Sequence, residues 1–280
     1  MKNAILACIL SISYIFASEI IVPLDFEEDH SCFSPDQRTR SIKHGVTIDL
    51  SFEYPSFTTK NSLTKQIRRI IQNHISTLER NFVNEIVDRY DHGEFDEYYD
   101  GPSRNLDYRL IPTYYSEDLI SLYGCCFRYY AHPHGCIRYE GRTFWEKDHA
   151  IRELALDELF IQDSGYTSFI IGYCEAVLKA TGAGYYTPDY PIVPVITPFD
   201  IRTFILTKKG MTIIFQPFIV GTWTEGPDYV VIPYEDLKPF IRPQGPLERF
   251  KSPTTLKQSF QTGLRQIQDE EKHSYFSNGP

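Results

Sequence analysis

The chain has 280 residues, of which 42% are hydrophobic and 15% aromatic. A chain of that length can bury a substantial core, either as one large domain or as two smaller ones. The formal net charge of −9 argues against binding of nucleic acid, because a basic stripe is what neutralises the phosphates. The same charge would suit a basic partner, although many acidic proteins have none.

The first residues carry the pattern of a secretory signal peptide. Lys2 precedes an apolar run from Ala4 to Ala17, and a polar chain begins at Glu19. A basic start, a short apolar core and small residues before a polar chain are typical of such peptides. A membrane-spanning helix needs roughly 20 apolar residues. We therefore predict a signal peptide over residues 1–18, with an uncleaved membrane anchor as the alternative, and a secreted or periplasmic mature chain without a transmembrane span.

Cysteine usage agrees with export. Five of the six cysteines follow the predicted signal peptide, and they are Cys32, Cys125, Cys126, Cys136 and Cys174. An oxidising compartment would favour disulfides, and an odd number leaves at least one thiol unpaired. Neighbours on a strand point to opposite faces, so only one of Cys125 and Cys126 should face a given partner. We expect one of them to bridge to Cys174 or Cys32; the spacing is not that of a zinc site.

The chain is organised around a predicted β-hairpin. Leu119–Tyr130 is rich in β-branched and aromatic residues, Ala131–Gly135 supplies a turn, and Cys136–Trp145 runs back. A short apolar segment then ends at Phe160. We expect the upstream chain to pack against this hairpin and the downstream strands to extend its sheet.

Upstream of the hairpin, residues 19–44 are polar and we expect them to be irregular. Strict alternation of apolar and polar residues predicts a strand over Val46–Tyr54. Apolar residues then recur at helical spacing over about 27 residues, with Thr59 or Asn61 as the cap, which predicts an amphipathic helix. The apolar positions of this helix are Leu63, Ile67, Ile70, Ile71, Ile75, Leu78, Phe82 and Ile86.

Shorter elements complete the predicted fold. They are a strand at Asn105–Tyr115, a helix at Tyr166–Ala180, a hairpin of Phe199–Leu206 with Met211–Val220, a strand at Tyr229–Ile232 and a short helix after Pro233. The fold class is therefore α+β, with an antiparallel β-sheet packed against a long amphipathic helix and shorter helices.

The sequence lacks a catalytic motif. His132 and His134 are candidate metal ligands, but Pro133 places them in a turn and no third ligand stands at a convincing spacing. Asp157 and Glu158 are adjacent, so their side chains diverge, and Asp157 better suits a helix N-cap. No nucleophile elbow or Gly-rich phosphate loop is present. We predict no metal, no cofactor and no catalytic residue, with a free-standing hydrolase as the alternative.

Several sequence blocks together resemble a known family. They are Tyr129–Gly135 (YYAHPHG), Leu154–Phe160 (LALDELF), Phe204–Phe215 (FILTKKGMTIIF) and Val231–Tyr234 (VIPY). In type and spacing they are similar to the extracytoplasmic C-terminal domain of RsiV-type lysozyme-binding anti-sigma factors. A related domain of unknown function also stands beside the catalytic domain of some peptidoglycan deacetylases.

This resemblance implies a domain organisation. Residues 45–118 would form an N-terminal strand and helix half like the deacetylase-associated module, residues 119–241 an RsiV-like C-terminal domain, and residues 242–280 a flexible tail. The chain departs from the family because only Met1–Asn3 precede the apolar run, which leaves no room for a sigma-binding segment. Its turn at Ala131–Gly135 is also longer than in many relatives.

The resemblance also implies a function. We expect an exported, non-catalytic binding protein of the cell envelope that recognises a lysozyme-like muramidase or a cell-wall glycan. The alternative is an accessory domain of an envelope enzyme or assembly whose chemistry lies in a partner. Rigid aromatic side chains on protruding loops often supply most of the binding energy at an interface. Ordinary packing within the loops would also explain the aromatic residues found in this chain. The candidate binding residues, on loops Gly184–Pro191 and Gly221–Pro227, are Tyr185, Tyr186, Asp189, Trp223 and Glu225.

Overall fold

A computed structural model describes residues 33–44, 46–58, 61–93, 103–130, 135–187, 194–222 and 225–251. These residues form a six-stranded sheet, a three-stranded sheet and helices, and most neighbouring strands are antiparallel. The α+β class predicted from the sequence is confirmed.

The six-stranded sheet keeps its strands in chain order. They are β1 (Phe33–His44), β2 (Val46–Phe57), β3 (Ser103–Tyr115), β4 (Leu119–Tyr129), β5 (Cys136–Lys147) and β6 (Ala150–Glu153). Strands β2 and β3 are parallel, whereas the other neighbours are antiparallel. Parallel neighbours need a long crossover connection, and here it contains helix α1 (Ser62–Asp91).

Helix α1 begins at a side-chain cap. The Asn61 carboxamide oxygen accepts a hydrogen bond from the Thr64 N–H at 2.8 Å, which satisfies one of the donors that a helix start leaves open. The helix packs on one face of the sheet, which we call the helix face; the opposite face is the open face. Apolar residues buried between helix and sheet include Ile67, Ile71, Phe82, Phe52, Leu106 and Phe144.

Strand β1 is a correction to the sequence analysis, which left residues 33–44 irregular. It lies at the edge of the sheet and its side chains are largely exposed, so it has no apolar alternation to reveal it. Two arginines attach it to α1 instead. Arg38 and Arg40 each donate to the Glu79 carboxylate at 2.8 Å, and only 11% of the Glu79 side chain is exposed.

The three-stranded sheet contains β7 (Phe204–Leu206), β8 (Gly210–Phe215) and β9 (Asp228–Pro233). It encloses a second core together with α2 (Tyr166–Thr181) and α3 (Tyr234–Leu237). The prediction that downstream strands extend the hairpin's sheet therefore holds for β6 and is wrong for β7, β8 and β9.

The edge of β5 that faces away from β4 is occupied at two places, and the second sheet does not pair with it. Strand β6 pairs with one end of β5, and the Gln216 side chain occupies the edge at Tyr139. Its carboxamide accepts from the Tyr139 N–H at 2.9 Å and donates to the Tyr139 carbonyl at 2.7 Å. Strand β7 lies across the open face instead. A Cβ atom at Gly141 would stand 2.6 Å from the Phe204 carbonyl carbon and closer still to its oxygen.

Side chains of the large sheet also bind the β7 backbone. The Leu206 N–H donates to the Ser121 hydroxyl at 2.9 Å, and the Thr113 hydroxyl donates to the Leu206 carbonyl at 2.8 Å. The predicted boundary between residues 118 and 119 falls in the turn between β3 and β4. These two strands pair along their length, so the two predicted halves share one sheet.

Residues 242–251 pack against the fold rather than forming a loose tail. Leu247 is buried in the second core, and the Phe250 ring stacks on the Tyr234 ring with their centroids 3.9 Å apart. Arg249 donates to the Asp118 carboxylate at 2.7 Å. The remainder of the predicted tail, residues 252–280, lies outside the described residues.

The cysteine prediction is corrected in part. Cys125, Cys126, Cys136 and Cys174 all carry free thiols. Cys126 packs in the core under α1 and Cys125 against the open face, as expected for neighbours on a strand. Cys174 is buried in the second core, so the expected bridge to Cys174 is wrong. Cys32 lies outside the described residues.

Two further details concern helices. The short 3-10 helix Leu156–Leu159 begins after Ala155, whose N–H donates to the Glu158 carboxylate at 2.8 Å. The N-cap is therefore Ala155, and the role predicted for Asp157 is wrong because a carboxylate three residues beyond the cap reaches back instead.

Within the described ranges, the helices are either too short or too polar to cross a lipid bilayer.

Candidate functional site

The loops at one end of the three-stranded sheet form a connected surface. We call it the loop rim and define it as residues 183–187, 194–199, 216–222 and 225–228. It includes the described parts of both loops that the sequence analysis selected.

The two predicted loops meet at a pair of glycines. The Tyr185 N–H donates to the Val220 carbonyl at 2.7 Å. A Cβ atom at Gly184 would stand 2.6 Å from the Gly221 Cα, and Gly184 has a φ of +51°. Both the close approach and the left-handed backbone require glycine there. The sequence analysis treated the loops as separate candidates, and the structure brings them together.

Tyr186 has a different place from the one predicted. Its side chain is buried, with 7% exposed, and its hydroxyl donates to the Pro194 carbonyl at 3.3 Å. A ring held in the core cannot anchor a partner, so its prediction as a surface residue is wrong. Its hydrogen bond instead fixes the segment that begins at Pro194. The Tyr185 side chain is half-buried in the same rim.

The rim exposes apolar side chains that the sequence analysis missed. Val195, Phe199 and Phe218 are 81%, 71% and 65% exposed. Phe199 and Phe218 were assigned to the ends of predicted strands, where alternation places one residue in two inside. Large apolar side chains that remain exposed are typical of interaction surfaces when they form a continuous patch.

The backbone at Phe218 is unusual. Its φ is +73°, a left-handed conformation in which a bulky residue is a rare outlier. A turn holds it there, since the Phe218 N–H donates to the Gly221 carbonyl at 3.0 Å and the Ile219 N–H to the Gln216 carbonyl at 3.1 Å. The surrounding structure therefore stabilises a strained residue that points an aromatic ring outward.

Two carboxylates flank Gly221 inside the rim. Glu225 accepts hydrogen bonds from the Thr222 N–H at 2.6 Å and the Thr222 hydroxyl at 2.9 Å, so this predicted binding residue also closes its own turn. A Cβ atom at Gly221 would stand 2.9 Å from the Glu225 carboxylate and 3.2 Å from that of Asp228. Burial and then the charge of Glu225 raise the pKa of Asp228 to about 6.

Four residues singled out in the sequence cannot be placed. Asp189 and Trp223, predicted to bind a partner, and the histidines His132 and His134 lie outside the described residues. Among the residues that the structure does describe, no group of His, Cys, Asp and Glu is arranged to hold a metal ion.

The open face of the large sheet is a second candidate. Two adjoining shallow clefts of about 330 and 400 Å³ share Ser51 and Asp107 in their walls. Burial, and after it the charge of Asp49, raise the pKa of Asp107. The Arg109 Nε lies 3.2 Å from a Glu53 carboxylate oxygen, which neutralises part of the charge. These polar side chains form an acidic surface, and the Cys125 thiol, whose pKa burial raises to about 11, also lines the second cleft.

A polar cluster under α1 is a third candidate, assembled from residues far apart in the sequence. The Tyr108 hydroxyl donates to the Glu140 carboxylate, and the His74 Nε2 lies 3.4 Å from the same oxygen. Burial pushes the pKa of Glu140 upward. The polar contact with His74, the hydrogen bond from Tyr108 and the charges of His74 and Arg142 outweigh burial and hold that pKa below its usual value. A proton acceptor at neutral pH needs a higher pKa, so the cluster suits attachment of α1 to the sheet better than acid–base chemistry.

Comparisons with known proteins bear on the fold alone. No protein-family model matches the sequence, and a search of curated proteins finds no match. The chain is similar to the crystal structure of a DUF3298 family member from Bacteroides fragilis, with a TM-score of 0.52 and 16% identity over 75% of this chain and 93% of that chain. It is also similar to a DUF3298 family protein from Pseudomonas aeruginosa, with a TM-score of 0.52 and 11% identity over 75% and 95% of the two chains.

Proposed function

We propose that the protein is an exported, non-catalytic binding protein of the cell envelope and that the loop rim is its binding surface. The observation that carries this proposal is the set of exposed apolar side chains, Val195, Phe199 and Phe218, on loops that hydrogen bonds join together. Apolar surface in contact with water is energetically unfavourable, and a partner that covers this surface gains the free energy of its burial.

Hydrogen bonds between the described parts of the rim support the proposal. Binding loses affinity when loops must be immobilised, and pre-ordered loops avoid that loss. The Tyr185–Val220 and Tyr186–Pro194 hydrogen bonds fix the loops to one another, and the turn at Phe218 fixes the orientation of its ring. Phenylalanine and tyrosine rings then offer a large contact area with few rotatable bonds.

We propose a basic protein as the partner, and specifically a lysozyme-like muramidase. The net charge of −9 would accelerate the encounter with a cationic protein. Glu225 and Asp228 add carboxylates inside the rim itself. The resemblance of the sequence blocks to the RsiV-type lysozyme-binding domain supports the same choice. A cell-wall glycan is the other ligand that such a rim could hold, through stacking of aromatic rings on sugar faces.

The proposal is tested by binding of the full chain to a basic lysozyme at about 50 and 200 mM salt, because screening weakens attraction between exposed charges. We expect a complex at micromolar concentration that weakens at the higher salt. The double variant Phe199→Ser with Phe218→Ser should lose about tenfold or more in affinity, as truncation of aromatic anchors does. Trp223→Ala tests the part of the second loop outside the described residues.

The matched control is Tyr90→Ser, which removes another exposed aromatic ring, at the end of α1. This variant should bind lysozyme as the unaltered chain does. Absence of binding, or an equal loss in the control, would contradict the proposed partner. Co-sedimentation with purified peptidoglycan that depends on Phe199 and Phe218 would identify a glycan ligand instead.

A further inference from the structure

The strand register places two free cysteines on the same face of adjacent strands. In the β4–β5 pair, Cys126 lies opposite Arg138 and Arg128 lies opposite Cys136. Residues two apart on a strand share a face, so Cys126 and Cys136 are diagonal neighbours on the helix face. Cys125 points to the open face and Cys174 lies in the other core, so neither competes for this pairing.

The start of β5 is held close to β4. A Cβ atom at Gly135 would overlap the Phe127 ring, so glycine lets the chain lie directly against β4 just before Cys136. Diagonal Cα atoms stand about 7–8 Å apart in a regular ladder, and a disulfide needs about 4.4–6.8 Å. A shift of about 1 Å at the first residue of the strand therefore suffices.

The two thiols differ in ways that suit a sequential reaction. Cys136 is exposed, whereas Cys126 is buried. Burial raises the pKa of the Cys126 thiol, although Arg128 opposes this shift through its charge and a hydrogen bond to the thiol. An external oxidant can reach only the exposed thiol, while the buried one can react with a neighbour on the protein.

We propose that Cys126 and Cys136 form a cross-strand disulfide when the protein meets a disulfide oxidant such as oxidised glutathione. The Cys136 thiolate attacks one glutathione sulfur, which releases a first glutathione thiolate and leaves a mixed disulfide. The Cys126 thiol loses its proton and attacks the Cys136 sulfur, which releases the second glutathione thiolate. Two protein thiols are oxidised, and one glutathione disulfide is reduced to two thiols.

Peptide mapping of the full chain tests this assignment. The reduced protein is treated with oxidised glutathione, alkylated and digested with trypsin without reduction. Cleavage after Arg109, Arg128 and Arg138 puts Cys125 and Cys126 in residues 110–128 and Cys136 in residues 129–138. We expect these two peptides to be linked, the link to disappear on reduction, and two alkylatable thiols to be lost per chain.

Serine variants distinguish the neighbouring cysteines. Cys125→Ser is the matched control and should keep the linked peptides, whereas Cys126→Ser should lose them. Fragmentation of the linked peptide between residues 125 and 126 assigns the bond even if a variant fails to fold. Linkage through Cys125, linkage of Cys136 to the peptide that contains Cys32, or Cys136 recovered only as its glutathione adduct would overturn the proposal.

Discussion

The two sheets of this fold bury their residues in different ways. In β2, Ile48, Leu50 and Phe52 are buried under α1, while the residues between them line the open face. In β8 all six residues are buried, because one face meets the second core and the other meets Tyr123 and Tyr139 of the large sheet. The open face of the large sheet is thus covered by the small sheet only at β4 and β5 and is left uncovered at β2, whereas the small sheet is enclosed on both faces.

This difference decides how the exposed side chains of the loop rim are interpreted. A sheet covered on one side always leaves some residues exposed, so single exposed side chains on it need no explanation. The small sheet hides its apolar residues almost completely, yet the loops at its end expose Phe199 and Phe218. Their exposure is therefore not incomplete burial of a half-covered surface, and this contrast supports a binding role.

The largest effect is expected where the two sheets touch. Gly141→Val would place a side chain against the Phe204 backbone, which cannot rotate away as a side chain could. We expect a loss of about 3 kcal/mol or more in the free energy of unfolding, measured by denaturant titration.

Gly172→Ala is the matched control for this glycine substitution. Gly172 lies in α2, and a Cβ atom there would have no heavy atom within 4 Å. Alanine should stabilise the helix by about 0.5–1 kcal/mol because it restricts the unfolded chain. Equal responses at the two positions would mean that the sheets are not in the contact described.

The large sheet could be predicted from sequence further than the small one, and the reason is physical. Covering one face produces alternation, which predicts β2, and the sequence also predicts the pairing of β4 with β5. Enclosure on both faces produces continuous apolar runs such as β8, which show a strand but not the sheet it joins. The contact of β7 with Gly141 depends on a backbone approach that no local pattern encodes.

The candidate site was predictable only in part, for a related reason. Aromatic and glycine residues mark Gly184–Pro191 and Gly221–Pro227 as loops, but burial decides which of their rings face water. Tyr186 lies in the first loop and is buried, whereas Phe218 lies just before the second loop and is exposed, and no sequence pattern marks this difference. The Tyr108–Glu140–His74 cluster joins residues from separate elements and has no sequence motif.

The next effect concerns the edge of the large sheet. Glu79→Ala removes the acceptor of both Arg38 and Arg40, the side chains that fasten β1 to α1. We expect a loss of about 1–2 kcal/mol, since the arginine side chains are partly exposed and water screens the pairs. Hydrogen exchange should accelerate in β1 while β8 stays protected.

Glu53→Ala is the control for an exposed pair, because its partner Arg109 is largely in water. It should change stability by less than about 1 kcal/mol. If Glu79→Ala has no larger effect than this control, β1 is held by its backbone pairing with β2 and not by the arginines.

A smaller effect should depend on pH at the rim. The pKa of Asp228 is raised to about 6 in the folded protein, from an ordinary value near 4 when unfolded. The folded state therefore binds more protons between these values, and stability falls as pH rises from about 4 to about 6. Asp228→Asn should remove this dependence and stabilise the protein by about 1 kcal/mol at neutral pH, after discounting for partial exposure.

Denaturation midpoints at pH of about 4.5 and 7 measure this prediction as a difference between variant and unaltered protein, so other carboxylates cancel. Asp200→Asn is a control because it neutralises a carboxylate in another part of the rim's surroundings. The Asp200 carboxylate caps its own turn by accepting from the Thr197 N–H at 2.7 Å. An unchanged pH slope in Asp228→Asn would show that Glu225 and burial do not perturb Asp228 as described.

The smallest expected effect separates stability from binding at a single residue. Phe218 holds a left-handed backbone that glycine adopts without strain, and its ring is mostly exposed, so its removal costs little buried area. Phe218→Gly should therefore leave the free energy of unfolding unchanged or raise it by up to about 1 kcal/mol, while lysozyme binding falls. Phe218→Ala is the informative companion, because it removes the ring and keeps the strain: it should lose the same affinity without the gain in stability.

A protein that evolves only for stability would replace a strained, exposed aromatic residue, so a stabilised Phe218→Gly that no longer binds would mean that the strain is retained for the partner. A destabilised Phe218→Gly would mean instead that the ring packs on the rim, and the case for binding through Phe218 would fail.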